Sequence, residues 1–160
     1  MEIPFQIILA SLLSMIIISS LIYSLAIFRE NESRNNVFNS FTNFKNKLEN
    51  LCFSFPFTQE YEKIVVNENV IAIFAYYTDI TKINNFEEIK DKVIEGNFIC
   101  LSYKNYRIKC EKLSCNITMK SYYFEEKSTL IDYLLKSFYG IKEFSISYKL
   151  TREANKINIQ

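Results

Sequence analysis

Four cysteines and no histidine bound the chemistry open to this chain. Cys52, Cys100, Cys110 and Cys115 form an even set. In a small exported domain such a set favours two disulfides, in one of three connectivities. Free structural thiols and a metal centre are the weaker readings, the metal centre the weakest. Without histidine it needs an all-cysteine site, and Cys110 and Cys115 leave four residues between them, the edge of the spacing that structural zinc uses. The same lack of histidine removes the Ser-His and Cys-His nucleophile pairs and the usual haem ligand. Glu87-Glu88 and Glu125-Glu126 are sequence neighbours, which do not face one another on a helix or strand. Two isolated glycines cannot build a phosphate loop. The sequence therefore points away from an enzyme. It offers no catalytic residue, no cofactor-binding residue and no metal ligand.

The elements that position the cysteines begin with a rod. Ile3 to Phe28 is one uncharged apolar stretch, IPFQIILASLLSMIIISSLIYSLAIF. As helix it spans ~39 Å, more than the ~30 Å hydrocarbon core of a bilayer. Past Arg29 the apolar positions are Val37, Phe41, Phe44, Leu48, Leu51 and Phe55, spaced alternately by four and three. That is a single apolar stripe on a continuing helix. No Gly or Pro falls between Phe5 and Phe55, so nothing interrupts the helix before Pro56. Three segments follow: 1–28 as a hydrophobic transmembrane or core helix, 29–55 as its amphipathic continuation, and 56–160 as a β-rich globular domain.

The remaining composition suits one ordinary domain. Net charge is +1, which argues against a nucleic-acid partner. Lys and Glu alternate without blocks, as on a solvated surface. Apolar residues make up 49% and aromatics 16%, all Phe and Tyr, so this is not a disordered chain. The Phe/Tyr excess reads as domain core rather than a ligand platform. The sequons at Asn31 and Asn116 are candidate N-glycosylation sites and suit an extracellular domain.

Beyond Pro56 the pattern is α+β: the long helix packed on a small antiparallel sheet with two short helices. Tyr61–Val66 and Val70–Thr78 are β-rich, with Asn67-Glu-Asn69 as a hairpin turn. Phe86–Glu95 has a helical pattern stopped by Gly96. Phe98–Lys104, Tyr106–Cys110 and Cys115–Phe124 read as a three-strand meander. Ser128–Tyr139 reads as a second short helix. Phe144–Leu150 alternates strictly, and Lys156–Ile159 is a candidate last strand or a fraying tail. Strand parity turns Cys100, Cys110 and Cys115 toward the rod, whose last turn carries Cys52. The favoured bonds are Cys110–Cys115 across a short loop and Cys52–Cys100. The alternative is Cys100–Cys110 with Cys52–Cys115.

Targeting signals conflict. No basic region precedes the apolar stretch and no small-residue cleavage site follows it, unlike an ordinary signal peptide. Arg29 and Arg34 follow the stretch, which by the positive-inside rule places the C-terminal part in the cytoplasm. The cysteines and sequons point outward. A basic leader removed ahead of Met1 resolves the conflict.

This architecture, opened by Met1-Glu-Ile-Pro-Phe-Gln-Ile-Ile-Leu-Ala10, resembles an archaeal type IV pilin. The architectural likeness covers the whole chain, while the residue-level motif is confined to about the first 28 positions. Bacterial pilins carry glutamate at the fifth mature position, where this chain has Phe5, and a helix-breaking Gly or Pro in the membrane half, of which none follows Pro4. Both departures match the archaeal branch. The resemblance implies a structural subunit of an extracellular filament used in adhesion or surface attachment. It implies that a dedicated peptidase removes a leader and that a membrane platform extrudes the subunit from the cytoplasmic membrane. It implies homo-oligomeric packing through Phe5, Ile8, Leu9, Leu12, Leu13, Ser14, Ile16, Ile17, Ser20, Leu21 and Ser24. The pairs Ala10/Ser14 and Ser20/Ser24 are small residues at the spacing that lets helices approach closely. The reading from another class is a monomeric membrane-anchored extracellular binding domain, or a minor pseudopilin.

Overall fold

A computed structural model describes residues 4–80, 86–124 and 142–160. The chain divides into two compact units. Of the described residues, one holds 4–34; the other holds 35–80, 86–124 and 142–160.

Helix α1 runs from Phe5 to Cys52, 48 residues without a break. Helix-favouring Leu, and Ile at no interior Gly or Pro, let the backbone ladder propagate. It stops because Pro56 supplies no N–H and disfavours helix at Phe55. The last turn tightens before it ends. The Phe53 N–H reaches the Asn50 carbonyl at 3.2 Å, and the Ser54 N–H and hydroxyl both donate to the Leu51 carbonyl, at 3.1 and 2.8 Å. Phe55 therefore leaves the stripe and is exposed.

The second unit is a curled seven-stranded mixed sheet. Its strands are β1 (Gln59–Asn67), β2 (Val70–Tyr76), β3 (Val93–Tyr103), β4 (Lys109–Lys120), β5 (Tyr122–Tyr123), β6 (Glu143–Arg152) and β7 (Lys156–Ile159). They lie in the order β1-β6-β7-β4-β3-β2-β5. The sheet is not wholly antiparallel, because β7 runs parallel to β4.

The Asn67–Asn69 turn is real but makes no hairpin. The Asn69 N–H donates to the Asn67 side-chain oxygen at 3.0 Å, yet β1 pairs with β6 while β2 pairs with β3 and β5. A two-residue link thus joins strands near opposite ends of the order, which requires the sheet to curl until those ends meet. Asn67, fully buried, and Asn69 both donate to the Tyr103 hydroxyl, at 3.1 and 3.4 Å, and fix that corner.

The expected helix at Phe86–Glu95 is replaced by one 3₁₀ turn, Phe86–Glu88, and by the start of β3 at Val93. Ladder pairing of Val93–Gly96 with Ile117–Lys120 outweighs the helical spacing. Gly96 does not stop a helix. It lies inside β3 at a register shift, where an added Cβ would stand 1.9 Å from the Tyr76 carbonyl oxygen. The expected helix at Ser128–Tyr139 lies outside the described residues. The three-strand meander is redrawn, since β4 continues through Glu111–Ser114 with Leu113 inward, and Tyr122–Tyr123 is split off as β5, which pairs with β2. Lys156–Ile159 is the last strand.

The main core lies between α1 and the sheet. Val37, Phe41, Phe44, Leu48 and Leu51 meet Ile64, Ile73, Ile99, Leu101, Ile117, Met119, Tyr148 and Leu150. A smaller cluster around Ala72, Phe74, Ile89 and Cys100 is separate from it.

Candidate assembly surface

From Phe5 to Phe28 the side chains that would cross a bilayer or line a bundle surround α1 on all sides. Phe5, Ile8, Leu9, Leu12, Leu13, Ser14, Ile16, Ile17, Ser20, Leu21 and Ser24 are all on this helix and all exposed. None of an 18-residue window of mean hydropathy 2.3 is buried within the chain. The helix is long and apolar enough to cross a membrane. Its polar side chains add little polarity. The hydroxyls of Ser11, Ser14 and Ser19 donate back to the carbonyls of Ile8, Ala10 and Met15, at 2.8, 2.8 and 2.7 Å. Such back-bonding satisfies a hydroxyl without solvent. At 100° per residue Ala10, Ser14, Ser20 and Ser24 fall within an arc of about 120°, so the small residues share one face. A large exposed apolar surface of this kind marks contact with lipid or protein.

In the second unit, α1 is fastened to the sheet along three lines. Taking Ser40 as zero, Val37, Phe41, Phe44, Leu48 and Leu51 fall within an arc of about 80°. Lys47 lies beside Ser40 on one flank; Thr42 and Glu49 lie about 180° away on the other. The Ser40 hydroxyl accepts the Val65 N–H of β1 at 2.7 Å, and Lys47 pairs with Glu60 of β1. On the opposite flank Glu49 accepts the Ser114 N–H of β4 at 3.1 Å and also bonds its hydroxyl, while Lys109 donates to Thr42 at 3.4 Å. The hydrogen bond to Glu60 holds the Lys47 ammonium above its ordinary pKa, with the charges of Glu60 and Glu62 adding to it. Both partners of that pair are substantially exposed, so it stabilises little. These flanking residues were not singled out in the sequence. Their signal was their position at the borders of the apolar stripe.

The cysteine pairing differs from the favoured one. The bonds are Cys52–Cys115, with Cα atoms 5.5 Å apart, and Cys100–Cys110, at 4.1 Å. Cys110 and Cys115 both lie on β4. Cys110 packs with the smaller cluster and Cys115 with the main core, so the two point to opposite faces of the strand and each finds its partner elsewhere. Cys100 and Cys110 are instead direct cross-strand partners. Cys115 faces the rod as strand parity implies, but Cys100 and Cys110 lie on the opposite face. Ile99, Leu101 and Tyr103 join the core that α1 packs into, while Cys100 and Cys110 join the smaller cluster. β3 is buried on every residue from Ile99 to Tyr103, so alternation gave no sign of which face was which. Cys52–Cys115 does tie the rod to the sheet. The sequon residues Asn31 and Asn116 are both exposed, on α1 and β4.

A long N-terminal apolar helix whose second half packs in a curled β-sheet, locked there by a disulfide, is consistent with a pilin-like fold. Comparison with family models, with curated proteins and with solved structures finds no match.

Proposed function

We propose that this chain is the structural subunit of an extracellular type IV pilus-like filament used for adhesion or surface attachment, and that it acts as a scaffold and not as a catalyst. The observation that carries the reading is the contrast along α1. Phe5–Phe28 is apolar and exposed all round, while the stripe from Val37 to Leu51 on the same unbroken helix is buried in its own sheet. One half of the rod is satisfied within the chain and the other is left for neighbours. Like helices would bury Ile8, Leu12, Ile16 and their neighbours, with Ala10, Ser14, Ser20 and Ser24 allowing close approach. Before assembly the same segment sits in the cytoplasmic membrane. Processing by a leader peptidase and extrusion by a membrane platform follow from the resemblance to archaeal pilins.

A second reading is favoured by the length and hydropathy of the helix alone: a monomeric membrane-anchored binding domain. Replacing Ile3–Phe28 with a generic poly-Leu/Ala span separates the two. A filament subunit needs shape-specific packing and should remain membrane-bound but unassembled. An anchored monomer should keep its function. Leu13→Asp should abolish fibres, because an unpaired charge in an apolar bundle costs several kcal/mol. Surface fibres from the poly-Leu/Ala chimera, seen by negative-stain microscopy, would exclude the filament reading.

A further inference from the structure

The curl of the sheet leaves an opening that neither reading above uses. Strand β7 pairs with β6 only over Leu150–Arg152, extended by reciprocal backbone bonds between Lys149 and Gln160 at 2.8 and 3.0 Å. β6 continues beyond that pairing toward Glu143, and among the described residues no strand covers this edge. Between β6 and the β4–β5 junction lies a cavity of about 420 Å³. That is within the roughly 300–1,000 Å³ of small-molecule sites.

Its lining has a consistent chemistry. On the β6 side stand Ser147 and Tyr148 with Ile146; on the other Lys120, Tyr122 and Tyr123; Ile159 of the last strand and Gln160 after it add an apolar side chain and an amide, and Asp91 closes the rim. Tyr148 is 5% exposed, its ring against Phe44 at 5.4 Å, and its buried hydroxyl has no hydrogen-bond partner among the described residues. A buried hydroxyl left unpaired is costly, so one at a cavity wall marks a place where a ligand's polar atom is missing. Lys120 and Asp91 pair at 3.1 Å, with more than half of each side chain exposed. Their charges cancel, so the rim favours neither anion nor cation while still offering donors and acceptors. Asp91 is held in place from beneath. The Ser121 hydroxyl donates to the carbonyl of Ile89, and the Ser121 N–H donates to that of Lys92 at 3.0 Å, on either side of Asp91. Tyr122 is 41% exposed and presents an aromatic surface at the mouth.

We propose that this cavity binds a neutral saccharide. Such a ligand carries hydroxyls that both donate and accept, which suits the Tyr148 hydroxyl, the Gln160 amide and the Lys120–Asp91 pair together. It also carries C–H faces that pack on a tyrosine ring. A lipid chain would leave these polar groups unsatisfied, and an ionic ligand would meet a neutralised rim. The site is independent of the filament reading, because it lies wholly within the sheet unit.

The test uses the full chain, solubilised in detergent and unassembled, so that its outcome is separate from fibre formation. Fluorescently labelled protein is applied to arrays of neutral oligosaccharides, of sialylated and sulfated oligosaccharides, and of extended peptides. The expected result is retention by neutral glycans, weakened about tenfold by Tyr148→Phe, the loss of one hydrogen bond. Thermal unfolding of Tyr148→Phe should be unchanged or later than wild type, since the substitution removes a buried unpaired hydroxyl. Tyr122→Ala, on an exposed ring, should weaken retention as well and carries the test should Tyr148→Phe melt early. No retention by neutral glycans, retention by acidic glycans or peptides alone, or undiminished retention by both variants would overturn the proposal.

Discussion

Ser40 and Glu49 leave α1 on opposite flanks, and each accepts a backbone N–H that the sheet cannot satisfy itself. Nine residues separate them, two and a half turns, so the side chains point about 180° apart. Ser40 takes the Val65 N–H of β1, the first strand in the order; Glu49 takes the Ser114 N–H of β4, on the stretch before β7 pairing begins at Asn116. The helix thus takes the place of a neighbouring strand on two sides at once, with side-chain oxygens standing in for carbonyls. Open strand edges are sites of unwanted pairing, and covering them is one way that proteins manage the hazard.

Ser40→Ala should therefore cost about 1 kcal/mol, the net worth of one hydrogen bond, and Glu49→Ala, which loses its bonds to both the Ser114 N–H and the Ser114 hydroxyl, about 2 kcal/mol. Ser40→Ala and Glu49→Ala share no partner, so their costs should add in the double variant. Denaturant unfolding of the full chain in detergent checks the sum. Hydrogen exchange checks the cause: Val65 should lose protection only in Ser40→Ala, and Ser114 only in Glu49→Ala.

Truncating the stripe should cost far more. Phe44 is fully buried and touches Tyr148 across the core. Phe44→Ala should cost roughly 3–5 kcal/mol, as large-to-small core changes do. Phe55→Ala, at the exposed end of the same sequence pattern, should stay within about 0.5 kcal/mol. Equal effects at the two positions would contradict the helix end at Cys52.

The two disulfides should differ in weight. Cys52–Cys115 spans 63 residues of sequence and Cys100–Cys110 spans 10. Loop-closure entropy gives roughly 4 and 3 kcal/mol for their loss, from the constraint on the unfolded chain. Non-reducing peptide mapping should recover these two linkages and no free thiol. A Cys110–Cys115 peptide would overturn the strand assignment of β4.

Alkaline pH should destabilise the sheet unit through Tyr148. Burial raises its pKa, and the electrostatic influence of neighbouring Tyr122 adds to the rise. The groups at the cavity around it are Tyr122, Lys120 and Asp91, while α1 faces it with Phe44, which does not titrate. The folded state holds the neutral phenol, whereas the unfolded chain ionises at the ordinary value of 10.0. The contribution is present below that pH and is lost as pH rises above it. Tyr148→Phe has no phenol to ionise, so its unfolding midpoint should fall less than the wild-type midpoint between pH 9 and 11, a range of roughly one unit either side of the tyrosine reference value.

Much of α1 was legible from residue order alone, because a helix is a local structure. Ile3–Phe28 announces an apolar span, and the spacing from Val37 to Leu51 announces one buried stripe, since 3.6-residue periodicity depends only on near neighbours. Lys156–Ile159 reads in the sequence as either a last strand or a fraying tail, and the structure makes it a strand. The even cysteine count announced two bonds, and the lack of histidine narrowed the chemistry. What tertiary structure alone decided was everything set by pairing at long range. The Asn67–Asn69 turn reads as a hairpin, but the same side-chain chemistry serves a corner between strands paired elsewhere. Phe86–Glu95 reads as helical until Ile117–Lys120 offers Val93–Gly96 a ladder. Parity turns Cys100, Cys110 and Cys115 alike toward the rod, but only the pairing of the strands determined that Cys115 alone faces Cys52. The opening beside Tyr148 has no sequence signature at all, because it is bounded by β6 and by the β4–β5 junction, segments whose separation along the chain says nothing of their distance in space.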